Sequence, residues 1–259
     1  MGQDPPGTPV PGPPVTASQV AATTDPWASA HRSVDVGVDG SAGSDSARRW
    51  ADTEAQAVGS QLEPVTVHHR HPENELLRHA EQARLLVVGK RGRGVIPRLL
   101  VGSTAVAVAG RSPVPVVVVP TDWRQEDHAT EPIVVGLDPD PAHHRLLHLA
   151  FRRAERLGVP LVIVHGKEEH DDAPDVSDRF AEEVRRWQER FPKVELRSYV
   201  TEKHPAMALL AEAESGAQLL VLGRREAHRF DGFGFGSVTR AVLHYAEIPV
   251  LVVPVDGDL

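Results

Sequence analysis

The sequence predicts an α/β protein of two related repeats, each a parallel sheet with flanking helices. Short β-branched runs alternate with helical patterns, as in chains whose parallel strands are joined by helical crossovers. Residues 87–120 align without a gap to residues 221–254, and twelve of the 34 positions are identical. The last run of each copy, Val116–Val119 and Val250–Val253, is apolar throughout, which is typical of strands covered on both faces. We therefore expect about four strands in the first repeat and five in the second.

The first repeat is predicted to begin with a strand at Val34. Its other strands are expected in VTVHH from Val65, in LLVVG from Leu85 and in the run at Val116. The same patterns predict helices from Arg48 to Val58, from Glu73 to Gln82 and from about Ser103.

The second repeat is longer by one strand and one helix. Residues 36–39 match 135–138 at an offset of 99, whereas the His-Pro pair at 71–72 matches 204–205 at an offset of 133. The difference of 34 residues holds LVIVHG from Leu161 and a helical pattern from Asp175 to Phe191. Because a whole crossover unit is missing from the first repeat, its remaining strands can still run parallel.

The repeats suggest a division of the chain into four parts. Residues 1–30 are rich in Pro, Gly, Ser and Thr, and we interpret them as a disordered tail, which is either a functional linker or an artefact at the start of the gene. The first repeat is assigned to residues 31–122, a linker to 123–130 and the second repeat to 131–255.

Composition limits the compartment and the partners. A net charge of −8, a pI near 5.9 and 5% aromatic residues argue against binding nucleic acid through the overall field or through base stacking. The sequence has no cysteine, no signal-peptide pattern and no apolar run near the ~18 residues of a membrane span. We expect a cytoplasmic protein that contacts neither nucleic acid nor membrane.

The strongest motif lies between a predicted strand and a predicted helix. Gly89 and Gly92 are separated by two residues, and nine more residues precede Gly102-Ser103. Glycines let backbone approach a ligand closely, and a helix N-terminus attracts anions. Four cations favour a phosphate there, a solvated charged loop being the alternative: Lys90, Arg91, Arg93 and Arg98.

This motif resembles that of the ATP-binding members of the universal stress protein family, whose fold is of the adenine-nucleotide-hydrolase type. The segment VGVDGSAGS from Val36 is similar to that family's opening strand and aspartate turn. The resemblance implies that Asp39 lies beside a nucleotide, whose ribose and phosphates would be surrounded by the residues Gly89, Arg91, Gly92, Gly102, Ser103 and Thr104. The alternative is that the glycines only shape the loop and that Asp39 caps the next helix.

The second repeat departs from the motif. Glu226 replaces the second glycine, and Pro139-Asp140 replace the Gly-Ser that follows the aspartate, which adds negative charge near the phosphates. It keeps the strand whose family counterpart touches adenine, here through Val164. A second pocket would use Asp138, Val164, Gly223, Gly236, Ser237 and Val238.

No catalytic or metal motif was found, and we read the histidines at 68–71 and at 144 and 148 as surface residues. The expected function is regulatory binding of ATP or another adenine nucleotide, with magnesium as an optional companion. An interaction scaffold with degenerate pockets is the alternative, and a slow ATPase is a weaker one. The terminal strands are expected to pair within the chain about a pseudo-twofold axis, with a homodimer left open.

Overall fold

The computed structural model describes residues 32–67, 71–92, 101–138, 143–166, 176–224 and 235–255. The predicted tail at 1–30 lies outside these ranges. From Arg32 onward the chain belongs to one compact unit.

Within the described residues, the first repeat contributes four strands and three helices. In chain order they are β1 (Val34–Val38), α1 (Ala42–Val58), β2 (Leu62–Thr66), α2 (Pro72–Ala80), β3 (Leu85–Gly89), α3 (Ser103–Arg111) and β4 (Val116–Val119). Helix α1 begins six residues before the predicted Arg48, because Ser41 caps it by accepting a hydrogen bond from the Ser44 amide. Strand β2 begins three residues before the predicted Val65, and His68 and His69 of the predicted run lie outside the described residues.

The described part of the second repeat contributes five strands and four helices. They are β5 (Ile133–Gly136), α4 (His144–Leu157), β6 (Leu161–Gly166), α5 (Val176–Arg190), β7 (Leu196–Thr201), α6 (Pro205–Glu214), β8 (Leu219–Arg224), α7 (Ser237–Tyr245) and β9 (Val250–Pro254). Helices α1 and α4 both end at a glycine with positive φ, Gly59 at 64° and Gly158 at 66°. These two caps are 99 positions apart, which is the offset of the two opening strands.

All nine described strands form one sheet, in the order β2-β1-β3-β4-β9-β8-β5-β6-β7. The predicted fold class, with four strands in one repeat and five in the other, is confirmed. Neighbouring strands are parallel except β4 and β9, which meet antiparallel in the middle of the sheet. Val117 pairs with Leu251 there, and 134 positions separate them, as in the sequence alignment. When equivalent residues of the two strands are exchanged, the pair on one side of this central pair becomes the pair on the other side. The contact therefore has local twofold character.

Strand β2 occupies the position that the missing unit leaves vacant. By sequence, β2 and the His-Pro pair after it align with β7 and its own His-Pro pair. In the sheet, however, β2 lies directly beside β1, as β6 lies beside β5. The first repeat has therefore closed up by one strand. As an edge strand, β2 accommodates Pro64, which would remove a ladder hydrogen bond from a central strand.

The helices cover both faces of the sheet. Since parallel crossovers are right-handed, α1, α4 and α5 lie on one face and the pairs α2–α3 and α6–α7 lie on the other. The central strands are accordingly buried on both sides. Coverage extends to Asp35 in β1, which is only 2% exposed and accepts a hydrogen bond from the Ser33 hydroxyl at 2.5 Å. By sequence alone, an aspartate inside the opening strand predicts a poorly covered face, and the burial of Asp35 shows that this prediction is wrong.

The predicted linker is packed against the second repeat. Residues Gln125–His128 form a short 3-10 helix, and the ring of Trp123 stacks on that of His128 at 4.0 Å between centroids. Gln125 donates a hydrogen bond to the buried side chain of Gln218, which itself donates to the carbonyl of Glu131. Gln218 thereby fixes the entry into β5.

Candidate functional site

The predicted site residues lie where the chain changes direction across the sheet. From β1 the chain crosses to β2 on one side and then returns to β3 on the other, so the carboxyl ends of β1 and β3 border a crevice. Strands β5 and β8 are arranged in the same way in the second repeat. Open α/β sheets bind ligands at such switch points.

Asp39 follows β1 at the edge of the first crevice. Its carboxylate accepts a hydrogen bond from the Ser41 amide at 2.9 Å, while the cap of α1 is Ser41 itself. A Cβ atom on Gly92 would lie 2.6 Å from the second carboxylate oxygen of Asp39. The loop after β3 therefore passes directly over Asp39, and a side chain on Gly92 would require the Asp39 carboxylate to move.

Gly89 has a packing role that the sequence alone does not reveal. A Cβ atom there would lie 2.6 Å from the backbone of Gly43 in α1. Gly43 in turn packs against the carbonyl oxygen of Arg91, and neither glycine tolerates a side chain. This backbone contact brings α1 close to the end of β3, and it accounts for Gly89 without a ligand.

Gly102 leaves the N-terminus of α3 without a side-chain cap. Its amide donates to the carbonyl of Lys90 at 2.8 Å, which links the start of the helix to the loop after β3. A Cβ atom on Gly102 would lie 3.4 Å from that carbonyl oxygen and 4.0 Å from the Cα atom of Arg91. Ser103 is exposed, Thr104 is half-buried and Arg91 is exposed. Uncapped amides at a helix start suit an anion.

Lys90 does not belong to the cations of this crevice, and that prediction is wrong. Its side chain is 8% exposed and donates from Nζ to the carbonyl of Ala246, in the second repeat, at 2.6 Å. Burial, helped by the charge of Arg91, lowers the pKa of Lys90 to about 8, against an opposing effect of Glu247. Arg93 and Arg98 lie outside the described residues.

In the second repeat an imidazole occupies the corresponding crevice. A Cβ atom on Gly223 would lie 3.0 Å from the ring of His143, which is 5% exposed. By the offset of 99, His143 corresponds to Ser44, next to the Gly43 that packs on Gly89. No motif in the sequence singled out His143. Its position just before α4 was the only available signal.

The other residues of the predicted second pocket differ in their burial. Val164 is only 2% exposed within β6, and Asp138 is exposed after β5. Gly236 caps α7 without a side chain, and a Cβ atom there would meet nothing within 4 Å. Ser237 is exposed and Val238 is half-buried at the start of that helix. Pro139, Asp140 and Glu226 lie outside the described residues.

The histidines with candidate metal spacing have other neighbours. His144 lies 3.8 Å from a Glu183 carboxylate oxygen, and the ring of His148 meets the edge of Trp187. Across the described ranges, no group of three or more His, Asp or Glu side chains is placed to hold a metal ion. Within the same ranges, no helix has the length and apolarity to cross a membrane.

Comparisons with known proteins agree on one family. The model of the universal stress protein family matches residues 63–120 and 129–254. A universal stress protein of Mycolicibacterium smegmatis is 35% identical over 189 residues, which cover 69% of this chain and 64% of that protein. One from Mycobacterium tuberculosis is 34% identical over 185 residues, with coverages of 67% and 62%. The chain thus matches less than two thirds of these relatives' length.

The fold has counterparts among solved structures. The crystal structure of a universal stress protein from Archaeoglobus fulgidus has a TM-score of 0.60 at 22% identity, and the match covers 87% of this chain and 88% of that one. At this identity the likeness concerns the fold alone.

Proposed function

Because this chain belongs to the universal stress protein family, we propose that it binds an adenine nucleotide, ATP by expectation, in its first repeat. The proposed role is regulatory: the nucleotide changes what the protein binds, without fast turnover, in a cytoplasmic stress response. We take the regulatory role from the resemblance of the glycine motif to that of ATP-binding members. The match to the family model establishes membership and does not establish this role.

The start of α3 is the observation that carries the proposal. Gly102 leaves the first amides of that helix uncapped, and the exposed Ser103 stands at the same point. Partial positive charge at a helix N-terminus favours phosphate oxygens, and a hydroxyl adds a hydrogen-bond donor. Arg91 is exposed on the loop that leads away from β3, which supplies a cation to the same end of the sheet.

Asp39 fits the other end of such a ligand. A carboxylate at the switch point can accept hydrogen bonds from ribose hydroxyl groups, as acidic residues do in other nucleotide-binding sheets. It would repel phosphates at close range, so we place the sugar rather than the phosphates beside it. Magnesium would enter with the phosphates, because it binds most readily through substrate oxygens and a few carboxylates.

The first repeat is favoured over the second because of what fills each crevice. In the second repeat the His143 ring lies against Gly223, where a nucleotide would approach the backbone. In the first repeat the corresponding contact is made by backbone alone, between Gly43 and Gly89. We therefore propose at most one nucleotide per chain.

Substitution of the two matched cap glycines tests the site. Gly102 and Gly236 start equivalent helices with φ near −73°, where any residue is tolerated. Gly102→Val should abolish binding of ATP with magnesium in a calorimetric titration, because the new methyl groups cover the uncapped amides. Gly236→Val should leave the dissociation constant nearly unchanged. Circular dichroism checks that both variants fold, and loss of binding in Gly236→Val alone would move the site to the second repeat.

An interaction scaffold remains the second candidate, and the contact between Gly43 and Gly89 favours it. That contact explains one motif glycine by packing, so part of the motif would persist without a nucleotide. The two functions differ in what the purified protein carries. Mass spectrometry of the small molecules released on heating should find an adenine nucleotide if the first proposal holds, and none for a scaffold.

A further inference from the structure

In each repeat, a buried cationic side chain donates hydrogen bonds to backbone carbonyls of the other repeat. Lys90, just after β3, donates to the carbonyl of Ala246 at the end of α7. Arg224, the last residue of β8, donates to the carbonyls of Gly110 and Ser112 at the end of α3, at 2.7 Å each. Both cations lie next to a motif glycine, Gly89 or Gly223.

The two contacts are related by the internal repeat. Lys90 and Arg224 are 134 positions apart, and so are Ser112 and Ala246. Both acceptors are the C-cap residues of equivalent nine-residue helices. The same interaction is therefore made twice, once in each direction across the pairing of β4 and β9, although one repeat uses lysine and the other arginine.

The two contacts involve the helices that start at the crevices, and each contact is made at the C-terminal end of its helix. The last carbonyls of a helix lack partners within it, and a cation there stabilises the helix dipole. Helix α3 has its uncapped start at the first crevice and its end on Arg224. Helix α7 starts at the second crevice and ends on Lys90, whose own carbonyl holds the Gly102 amide. The residue that follows the motif glycine in each repeat thus contacts the end of the equivalent helix in the other repeat.

We propose that Lys90 and Arg224 are positioning residues, through which the second repeat sets the nucleotide affinity of the first. This inference rests on the proposed nucleotide site. Arg224 holds the end of α3 and so fixes where the amides at its start point. Lys90 holds the loop after β3 in place, and the carbonyl in this loop accepts the hydrogen bond from the amide at the start of α3. A site of this kind is complete only when both repeats are docked.

The test compares two cross-repeat contacts in the full-length protein. Arg224→Met removes the hydrogen bonds to α3 and retains much of the side-chain volume. Arg153→Met, the matched control, removes a cross-repeat ion pair with Glu54 on the opposite face of the sheet. Arg224→Met should weaken binding of ATP with magnesium by about fivefold or more, a usual size for coupling between sites. Arg153→Met should bind like the wild type, and Arg224→Lys should recover most of the affinity.

Equal affinity of folded Arg224→Met and wild type would overturn the proposal, and so would an equal loss in Arg153→Met. If Arg224→Met does not fold, the pair Lys90→Met and Lys90→Arg decides: the first should weaken binding and the second should retain it. Retention in both, or loss in both, would contradict the positioning role.

A separate readout applies if the wild type binds no ATP, which would sink the proposed function alone. Hydrogen exchange in the unliganded protein then tests the positioning itself. Arg224→Met should speed exchange in the first turn of α3, where the Val106 amide bonds to the Gly102 carbonyl. Unchanged exchange at that turn, at the end of the helix away from the substitution, would overturn the inference.

Discussion

Among the charged side chains of the described residues, Asp35, Lys90 and Arg224 are almost excluded from solvent, and each has polar partners that the sequence pattern does not indicate. Lys90 and Arg224 bind backbone carbonyls of the opposite repeat. Asp35 accepts from Ser33 and lies 4.0 Å from a ring nitrogen of His79. Charge near the end of a strand is usually solvated, so sequence patterning places such residues outside. Their true positions depend on contacts between segments distant in the chain.

Asp35→Asn should stabilise the protein at pH 7. Burial raises the pKa of Asp35, an effect that Glu63 increases and that Ser33 and His79 reduce. The folded chain therefore binds this proton more tightly than the unfolded chain, whose carboxyl titrates near 3.8. The free energy of unfolding falls as pH rises from about that value through the raised pKa of the folded state. The Asn variant lacks this fall, so its advantage should shrink as pH is lowered.

Denaturant unfolding at a series of pH values measures the effect. Asp52→Asn is the control, because it removes the same charge from an exposed position on α1. If Asp35→Asn were no more stable than the wild type at pH 7, or if the control behaved alike, burial of the carboxylate would not carry a cost.

At the scale of elements, the internal repeat predicted the number of strands but not where β2 lies. The comparison of offsets found a missing crossover unit, and it could not tell whether the gap stays open or closes. The start of α1 was missed for a local reason. The Gly-Ser segment after Asp39 has poor helix propensity, and the Ser41 cap with tertiary packing overrides it.

The first repeat should open more readily than the second. In the plane of the described sheet, β1 is followed on its outer side by β2 alone, a five-residue edge strand that contains Pro64, whereas β5 is followed by both β6 and β7. Opening of one short strand therefore exposes β1. We expect faster amide exchange in Val34–Val38 than in Ile133–Leu137, measured by hydrogen–deuterium exchange. Equal protection of the two strands would show that closing up the sheet made the first repeat as stable as the second.

Helices α1 and α4 are joined by a buried ion pair across the repeats. Glu54 accepts from Arg153 and from Arg156, and Arg153 also lies over the ring of Trp50. Burial alone would raise the pKa of Glu54, but the two arginines outweigh it, so the pKa is lowered. The stabilisation is therefore present above the unfolded value of 4.5 and is lost as pH falls through the lowered pKa.

Arg153→Met should destabilise the protein by on the order of 3 kcal/mol at pH 7, since it leaves a buried carboxylate with one partner. The double variant Glu54→Leu, Arg153→Met should regain much of that loss. Arg185→Met, which breaks an exposed pair on α5, should change stability by less than about 1 kcal/mol. Denaturant unfolding gives all three values. A small effect of Arg153→Met would mean that Arg156 alone is enough to stabilise the buried carboxylate.

For the whole molecule, the decisive contact is the antiparallel pairing of β4 with β9. Its register around Val117 and Leu251 relates equivalent residues, as in a symmetric dimer of identical subunits. Fusion of the repeats places both partners on one chain. The sequence predicted these strands to be buried because Val116–Val119 is apolar throughout. It could not predict Lys90 and Arg224 as cross-repeat contacts, since a motif cation in a glycine loop is first read as a ligand for phosphate.

The second repeat alone should form a dimer. Without β4, an isolated fragment of residues 131–255 exposes the apolar edge of β9, and the twofold character of the contact lets two copies pair through Leu251. Arg224 of each copy would then reach the carbonyl of Ala246 in the other. Sedimentation should give a dimer for this fragment and a monomer for the same fragment carrying Leu251→Lys. A monomeric unmodified fragment would show that the pairing needs the first repeat's own sequence.

The two outer edges of the described sheet differ in their capacity to recruit further strands. Strand β2 is short, carries Glu63 and lacks a backbone donor at Pro64, so it is a poor template for another strand. Strand β7 has six residues and no proline along its outer side. Two copies can join through their β7 edges. The pair then exposes only its two β2 edges, which are poor templates for a further strand. We therefore expect the closed-up first repeat to limit edge-to-edge association to pairs and to disfavour open-ended fibres.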